Sequence, residues 1–211
     1  MVLDAGVVLR RGHKTAYPNA DILVPGAGNT RFAPLDGVAH AYLATTAFAA
    51  LLESALHEAA PPDPRIYESL LRRWQESAVE LTSPLRFIDL RDPELDRLGL
   101  NRAQLVATAP THYPCTRVWA AALHGRKIGG QQTHGIMWHS RQRELHATAM
   151  TDRPALRDLI VEVPAEVLVV WSPPASSEVL EPAAGGLGNL AVGPGWDYLA
   201  DLAALLGITI P

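Results

Sequence analysis

Arg31, Tyr42 and Glu53 stand at equal intervals of eleven residues and bring a cation, a phenol and a carboxylate from three successive short stretches of chain. Together they could hold an anionic, aromatic substrate. A guanidinium presents a planar fork of donors suited to a phosphate or pyrophosphate. A tyrosine can stack on an aromatic ring while its hydroxyl makes a hydrogen bond, and a carboxylate at the edge of a core can be desolvated enough to stabilise positive charge as a bond breaks. Gly26, Gly28 and Asn29, just before Arg31, tolerate the turns that would aim backbone N–H groups at the same anion. Each group also fits an ordinary role: Arg31 as a surface cation on a loop, Tyr42 as a packing residue of a strand, Glu53 as part of a solvated helix face.

The hydrophobic pattern outlines the elements that must carry these groups. Pro34-Leu35-Asp36-Gly37 is a turn signal, and His40 to Ala44 reads as a strand bearing Tyr42. From Thr45 to Ala60, the residues Phe48, Leu51, Leu52, Ala55 and Leu56 recur at helical spacing. They predict a helix with one buried stripe, with Glu53, Thr46 and His57 along its flank. Pro61, Pro62 and Pro64 end it, because proline removes a donor and bars αR geometry from the residue before it. Much later, Thr133 to Arg141 alternates as a strand does, so that Trp138 and Ser140 share a face. Ser140 lacks a Gly-x-Ser-x-Gly elbow and a base fixed beside it, which argues against a nucleophile.

The order Arg-Phe-x-Pro from Arg31, Tyr-Leu-Ala from Tyr42, Ala-Leu-Leu-Glu ending at Glu53 and Gly-Ile-x-x-x-Ser-Arg from Gly135 resembles the RES domain family, named for its Arg, Glu and Ser. The likeness runs from about Val8 to Trp171. It implies an α+β fold similar to that of ADP-ribosyltransferase toxins, a central mixed or antiparallel sheet flanked by helices. It implies that NAD⁺ is a substrate, with no prosthetic group. The activity would be cleavage of the nicotinamide–ribose bond by a glycohydrolase or phosphorylase, or protein ADP-ribosylation at the same site, so that the acceptor is water, phosphate or a protein. The resemblance assigns catalysis to Arg31, Tyr42 and Glu53, and nucleotide binding to Arg10, Arg31, Tyr42 and Ser140, with Arg11 as the competitor to Arg10. It also implies a toxin of a toxin–antitoxin module, paired with an antitoxin carrying an Xre-type helix-turn-helix. Many members have Tyr-Pro-Ser where this chain has Trp138-His139-Ser140, which leaves the role of His139 open. A binding module that has lost activity and a hydrolase using Ser140 are the other classes.

A chain of 211 residues, 48% hydrophobic and 19% charged, can bury a real core as one domain; the strand, loop and helix after the RES-like segment are read as completing it, over 1–211. The net charge of −4 argues against a broad phosphate-neutralising surface, so any DNA contact is assigned to a partner. The lone Cys115 excludes an internal disulfide and a thiolate cluster, and reads as a small buried hydrophobe. The N-terminus lacks a basic region followed by an apolar run, and no apolar stretch approaches a membrane span; a reduced, cytoplasmic setting is expected. His134, His139 and His146 cluster in sequence. The odd separation puts His134 and His139 on opposite strand faces, and no His-Glu-x-x-His helix accompanies them, so no metal site is expected.

Elsewhere, Val7 to Arg10 reads as a first strand, Pro18 to Pro25 as an irregular connection with Ile22-Leu23-Val24 against the core, and Arg65 to Ser77 as a short helix. Val79 to Leu81 and Leu85 to Leu90 have strand character, and the turn from Asp92 stops at Gly99. Tyr113 to His124 predicts a helix with Trp119 in the core, and Ala165 to Trp171 a buried strand. Gly185 to Gly188 reads as a loop, and Asp197 to Leu206 as an amphipathic helix ended by Gly207.

Overall fold

Alternating and β-branched runs pair into one large sheet, and helices cover it where apolar stripes leave the strands. The computed structural model describes residues 1–17, 19–26, 29–59, 61–172 and 179–211. The strands are β1 (Val2–Leu3), β2 (Val8–Lys14), β3 (Val24–Pro25), β4 (Ala39–Ala44), β5 (Trp74–Leu81), β6 (Leu85–Asp89), β7 (Lys127–Ile128), β8 (Gln131–Gln132), β9 (Gly135–His139), β10 (Glu166–Ser172) and β11 (Leu180–Asn189). The helices are α1 (Ala47–Leu52), α2 (Glu68–Leu71), α3 (Glu94–Arg97), α4 (Arg102–Leu105), α5 (Tyr113–Leu123), α6 (Arg141–Ala149), α7 (Pro154–Glu162) and α8 (Gly193–Leu206).

Among the described residues the main sheet has nine strands, in the order β1-β6-β9-β10-β4-β2-β5-β11 with β3 added on β4. Its pairings are antiparallel except for β6 with β9. The fold is thus α+β, a mixed sheet flanked by helices. Val167 to Val170 of β10 are all at most 2% exposed, as an uninterrupted apolar run requires of a central strand. A seam divides the sheet: β4 pairs with β10 along six residues but meets β2 only where Arg10 faces Ala44, while β2 and β5 pair along seven. On one face, alternate residues of β9 and β10, Ile136, Trp138, Val167, Val169 and Trp171, pack on Phe32, Leu105, Val106 and Ala120. Further along that face, α1 and α8 share a second cluster. The opposite face buries Leu9, Leu43, Phe87, Met137 and Leu168.

Several elements differ from the periodicity's forecast. β2 continues through Gly12 and His13 instead of ending at Arg10, because it pairs with β5 as far as Lys14. Helix α1 stops at Leu52, leaving Glu53 as its C-cap, and the chain then turns into a short 3₁₀ segment at His57–Ala59. His57 is therefore not on a helix with Glu53. Trp74 to Ser77 belong to β5, since pairing with β2 overrides the local helical signal that α2 alone retains. Gly185 to Gly188 lie within β11, where the register with β5 shifts between Ala183 and Gly188. Gly185 and Gly188 have φ of +89° and +76°, and a Cβ on Gly186 would sit 3.1 Å from Ala78 N, so this glycine-rich stretch is a bulge. Leu23 is buried as expected of the connection, whereas Ile22 and Val24 are exposed.

Helix α1 crosses the seam from β4 onto β2, and Gly12 is what allows it. A Cβ there would lie 2.0 Å from Ser54 Oγ and 3.0 Å from the Ala50 carbonyl oxygen. The Ser54 hydroxyl donates back to that same carbonyl at 2.6 Å, so the last turn of α1 cannot easily give way. Gly12→Ala is expected to destabilise the protein by about 1–3 kcal/mol, the usual cost of overpacking. An unchanged urea midpoint would show that the turn is looser than this geometry implies.

His146 on α6 is 1% exposed, and its Nε2 has no hydrogen-bond partner among the described residues. Burial lowers its pKa below the ordinary 6.5, so the folded chain holds it neutral. The unfolded chain takes up a proton first as pH falls. This contribution to stability is complete above 6.5, declines as pH drops below that value and levels off at the lower folded pKa. A His146→Leu variant should accordingly show a flatter dependence of unfolding midpoint on pH just below neutrality; a profile parallel to the wild type would contradict it.

Candidate active site

Ser140 and Glu53 are 87 residues apart in sequence, yet the Ser140 hydroxyl donates to Glu53 Oε1 at 2.6 Å. Ser140 ends β9 and is the N-cap of α6, where the same oxygen accepts the Arg143 N–H at 3.3 Å. A side-chain oxygen at an N-cap satisfies one of the orphan donors of the first turn. Glu53 is half-buried, and the Gln142 N–H also points at its Oε1 at 3.4 Å. The carboxylate therefore lies against the N-terminal turn of α6, where helix amides favour negative charge.

Arg31 is only 6% exposed. One of its terminal nitrogens donates to both the carbonyl oxygen and the hydroxyl of Thr108, at 3.0 and 2.6 Å. The guanidinium lies over the Tyr113 ring, 5.0 Å from its centre, a favourable placement for a cation. Burial pulls the Arg31 pKa below the ordinary value; Tyr113, Glu53 and Tyr42 oppose this, and Arg141 adds to it. Arg141 donates to the same Thr108 carbonyl at 3.2 Å, so two cations converge on one acceptor beside Glu53. The Thr116 hydroxyl on α5 reaches the Arg31 backbone carbonyl.

Tyr42 works on the loop that carries Arg31. Its hydroxyl accepts the Phe32 N–H at 3.0 Å and lies 2.9 Å from Thr30 Oγ1. Thr30 already donates its proton to the Ala33 carbonyl, so the phenol donates to Thr30. Burial pushes the Tyr42 pKa up to about 12, which keeps that donor in place. The Tyr42 and Phe32 rings both meet Trp138 edge-on, with centroids 6.0 and 4.9 Å away.

Arg31, Tyr42, Glu53 and Ser140 thus lie together on the sheet face that carries α1, α5 and α6. Arg10 is on that face too, but across the seam. It makes a bidentate pair with the fully buried Glu76 at 2.5 and 3.0 Å and donates to the Gly185 carbonyl at 2.8 Å. Arg11 donates to the Ala20 and Ile22 carbonyls. A cavity of about 330 Å³ opens on this second half, lined by Asp21, Glu76, Ser77, Ala183 and Gly186 among others, away from Arg31 and Glu53. Gly28, invoked for an anion-binding turn, lies outside the described residues. His139 faces Asp92 at 3.7 Å, on the charged network that joins Arg102 to Asp92 and Glu144. Among the described residues no three potential metal ligands converge. Thr108, Tyr113 and Thr116 escape sequence reasoning, and Arg141 enters it only as the last residue of the Ser-Arg motif, with no role assigned: Thr108 sits in a short connection 77 residues from Arg31, and nothing local marks it.

One face of the mixed sheet thus gathers a buried arginine, a glutamate and a serine at a helix cap. The RES domain family model matches residues 8–175, and the chain belongs to that family. Among solved structures it is similar to one titled as the M. tuberculosis MbcT–MbcA toxin–antitoxin complex, with a TM-score of 0.56, 17% identity, and coverage of 96% of this chain and 92% of the other. No curated protein sequence matches the chain significantly.

Replacing Ser140 by Ala removes a donor to Glu53 and the side-chain cap of α6 together. A loss of about 1–2 kcal/mol in unfolding free energy is expected, with Ser140→Thr retaining most of it. Equal stability of Ser140→Ala and wild type in urea would mean that neither bond matters to the fold.

Proposed function

We propose that the chain is the toxin of a toxin–antitoxin module and acts on NAD⁺ by cleaving the nicotinamide–ribose bond. The observation that carries this is the convergence of two arginines, Arg31 and Arg141, on the Thr108 carbonyl next to a single carboxylate held by Ser140. Two cations at one acceptor favour an anionic guest, and a guanidinium fork suits a pyrophosphate or phosphate.

In this reading Arg31 binds the pyrophosphate or adjacent ribose, and Tyr42 and Thr108 hold the arginine and its loop in position. The C1′–N bond breaks with its electron pair going to the pyridinium nitrogen, so nicotinamide leaves neutral and positive charge develops on the ribose, as in glycoside hydrolysis. The Glu53 carboxylate stabilises that charge or orients the acceptor, whose oxygen bonds to C1′ and sheds its proton. Ser140 keeps the carboxylate aimed. Arg10 would contact the nucleotide only by exchanging Glu76 and the Gly185 carbonyl for phosphate. Water, inorganic phosphate and a protein side chain are the three acceptor classes. The likeness to a toxin–antitoxin complex supports a partner that restrains the activity, and an antitoxin of the Xre type is the form proposed.

The test is release of nicotinamide from NAD⁺ by the purified protein, with and without phosphate. Glu53→Gln keeps an acceptor for Ser140 while removing the charge, and should slow release by about a hundredfold or more. Arg31→Lys should mainly raise KM, because it keeps charge and loses the fork. Acceleration by phosphate would identify phosphorolysis, and label appearing on protein would identify transfer. No nicotinamide under any of these conditions, from protein shown by circular dichroism to be folded, would sink the proposal.

A further inference from the structure

Helix α5 buries only Tyr113, Thr116 and Ala120, a stripe too narrow to hide its aromatic knob. Trp119, expected in the core, is 47% exposed and Val118 is 70% exposed. Cys115, expected to be buried, is exposed, as is Ala122. Residues 115, 118, 119 and 122 follow the i, i+3, i+4, i+7 pattern that elsewhere marks the buried side of an amphipathic helix. The outer face of α5 is thus an apolar stripe that the described residues leave exposed, and Arg117 is the helix's one charged residue.

The charge along this stretch of sequence is one-sided. From Arg97 to Arg143 the sequence holds seven Arg or Lys and not one Asp or Glu, although the chain as a whole carries 22 acids against 18 cations. Arg102 and Arg97 find carboxylates outside that run. Among the described residues Arg117, Arg126, Lys127 and Arg141 pair with carbonyl or amide oxygens or stand in solvent. Arg126 and Lys127 follow the C-terminal end of α5 directly, and the exposed Ile128 extends the apolar surface.

We propose that the outer face of α5 is the docking surface for an acidic, amphipathic helix of the antitoxin. The identity of the partner rests on the toxin–antitoxin reading above. Its chemistry follows from apolar anchors on α5 flanked by cations that pair with no carboxylate among the described residues, the complement of an acidic helix with one apolar face. The position also supplies a regulatory consequence. The inner face of α5 holds Arg31 through Tyr113 and Thr116, and Arg117 donates to Asn29 Oδ1 and the Thr30 carbonyl at 2.9 and 3.1 Å. A partner seated on the stripe lies one helix width, about 10 Å, from the Arg31 loop and can lock or cover it. A second copy of this chain is less suited, since it would bring the same cations against each other. Nucleic acid is disfavoured because the stripe is mainly aliphatic and carries one exposed ring.

The test co-expresses the chain with the product of the gene adjacent to its own and measures their affinity by calorimetry. Val118→Glu/Trp119→Glu, which alters none of the residues assigned to the site, should weaken binding at least fiftyfold while circular dichroism and nicotinamide release stay at wild-type levels. Arg126→Glu/Lys127→Glu should weaken it about tenfold at low salt, with the difference fading as salt rises. Wild-type binding that the first double variant leaves intact overturns the docking surface and leaves the partner reading standing. No binding by the adjacent gene product overturns the partner reading and the proposal with it. Light scattering that shows a dimer dispersed by Val118→Glu/Trp119→Glu assigns the face to self-association instead. A labelled DNA duplex bound by wild type and lost in Arg126→Glu/Lys127→Glu assigns it to nucleic acid.

Discussion

The hydroxyl of Ser140 is used twice: it donates to Glu53 and accepts from the first turn of α6. A single oxygen therefore ties the end of one helix to the start of another and places a carboxylate where helix amides favour it. Both neighbours depend on the sheet beneath. Ser140 is held because its own N–H donates to the Ala165 carbonyl at the edge of β10. Glu53 is held because α1 lies across β2 at Gly12. The two halves of the sheet, joined in register only at Arg10 and Ala44, are in effect bridged by α1.

Arg31 shows how a buried cation is tolerated without a direct ion pair among the described residues. Desolvation of a charge is expensive unless polar partners replace water. Here Thr108 supplies two oxygens and Tyr113 a π face, with Glu53 close enough to be felt. Because those partners are mostly neutral, Arg31 and Arg141 together retain positive potential that a carboxylate pair would have quenched. By contrast Arg10 is fully engaged by the buried Glu76, and its immediate effect is to fix β2, β5 and the bulge of β11 to one another. The same residue type thus has two different electrostatic situations on one sheet face.

Helix α5 serves two sides unequally. Its inner stripe is narrow and specific, meeting Arg31 with an aromatic ring and a hydroxyl. Its outer stripe is apolar and exposed, and an exposed aliphatic and indole surface rimmed by cations is a poor final state in water. The helix sits between the candidate site and whatever meets that surface, so the two are mechanically adjacent.

The strands β4, β9 and β10, the turn before β4 and the helix stop at Gly207 were legible because each rests on local chemistry: alternation, apolar runs, turn residues and a glycine with φ of +69°. The residue types and order around Arg31, Tyr42, Glu53 and Ser140 were likewise enough to suggest the RES family. Other features depended on partners distant in sequence. The apolar periodicity after Leu52 and the helical signal before Ser77 yielded to contacts with β2, and the glycines of β11 proved to be a bulge because β5 runs beside them. Trp119 and Cys115 have the composition of core residues, yet the direction in which α5 docks leaves them outside. Sequence alone determined which groups could do chemistry and which segments were extended or helical, since those follow from residue type and spacing. Only the tertiary structure decided that Thr108 and Arg141 join Arg31, that Arg10 is committed to Glu76, and which side of α5 meets solvent. Those outcomes depend on the packing of segments tens of residues apart, which local periodicity does not encode.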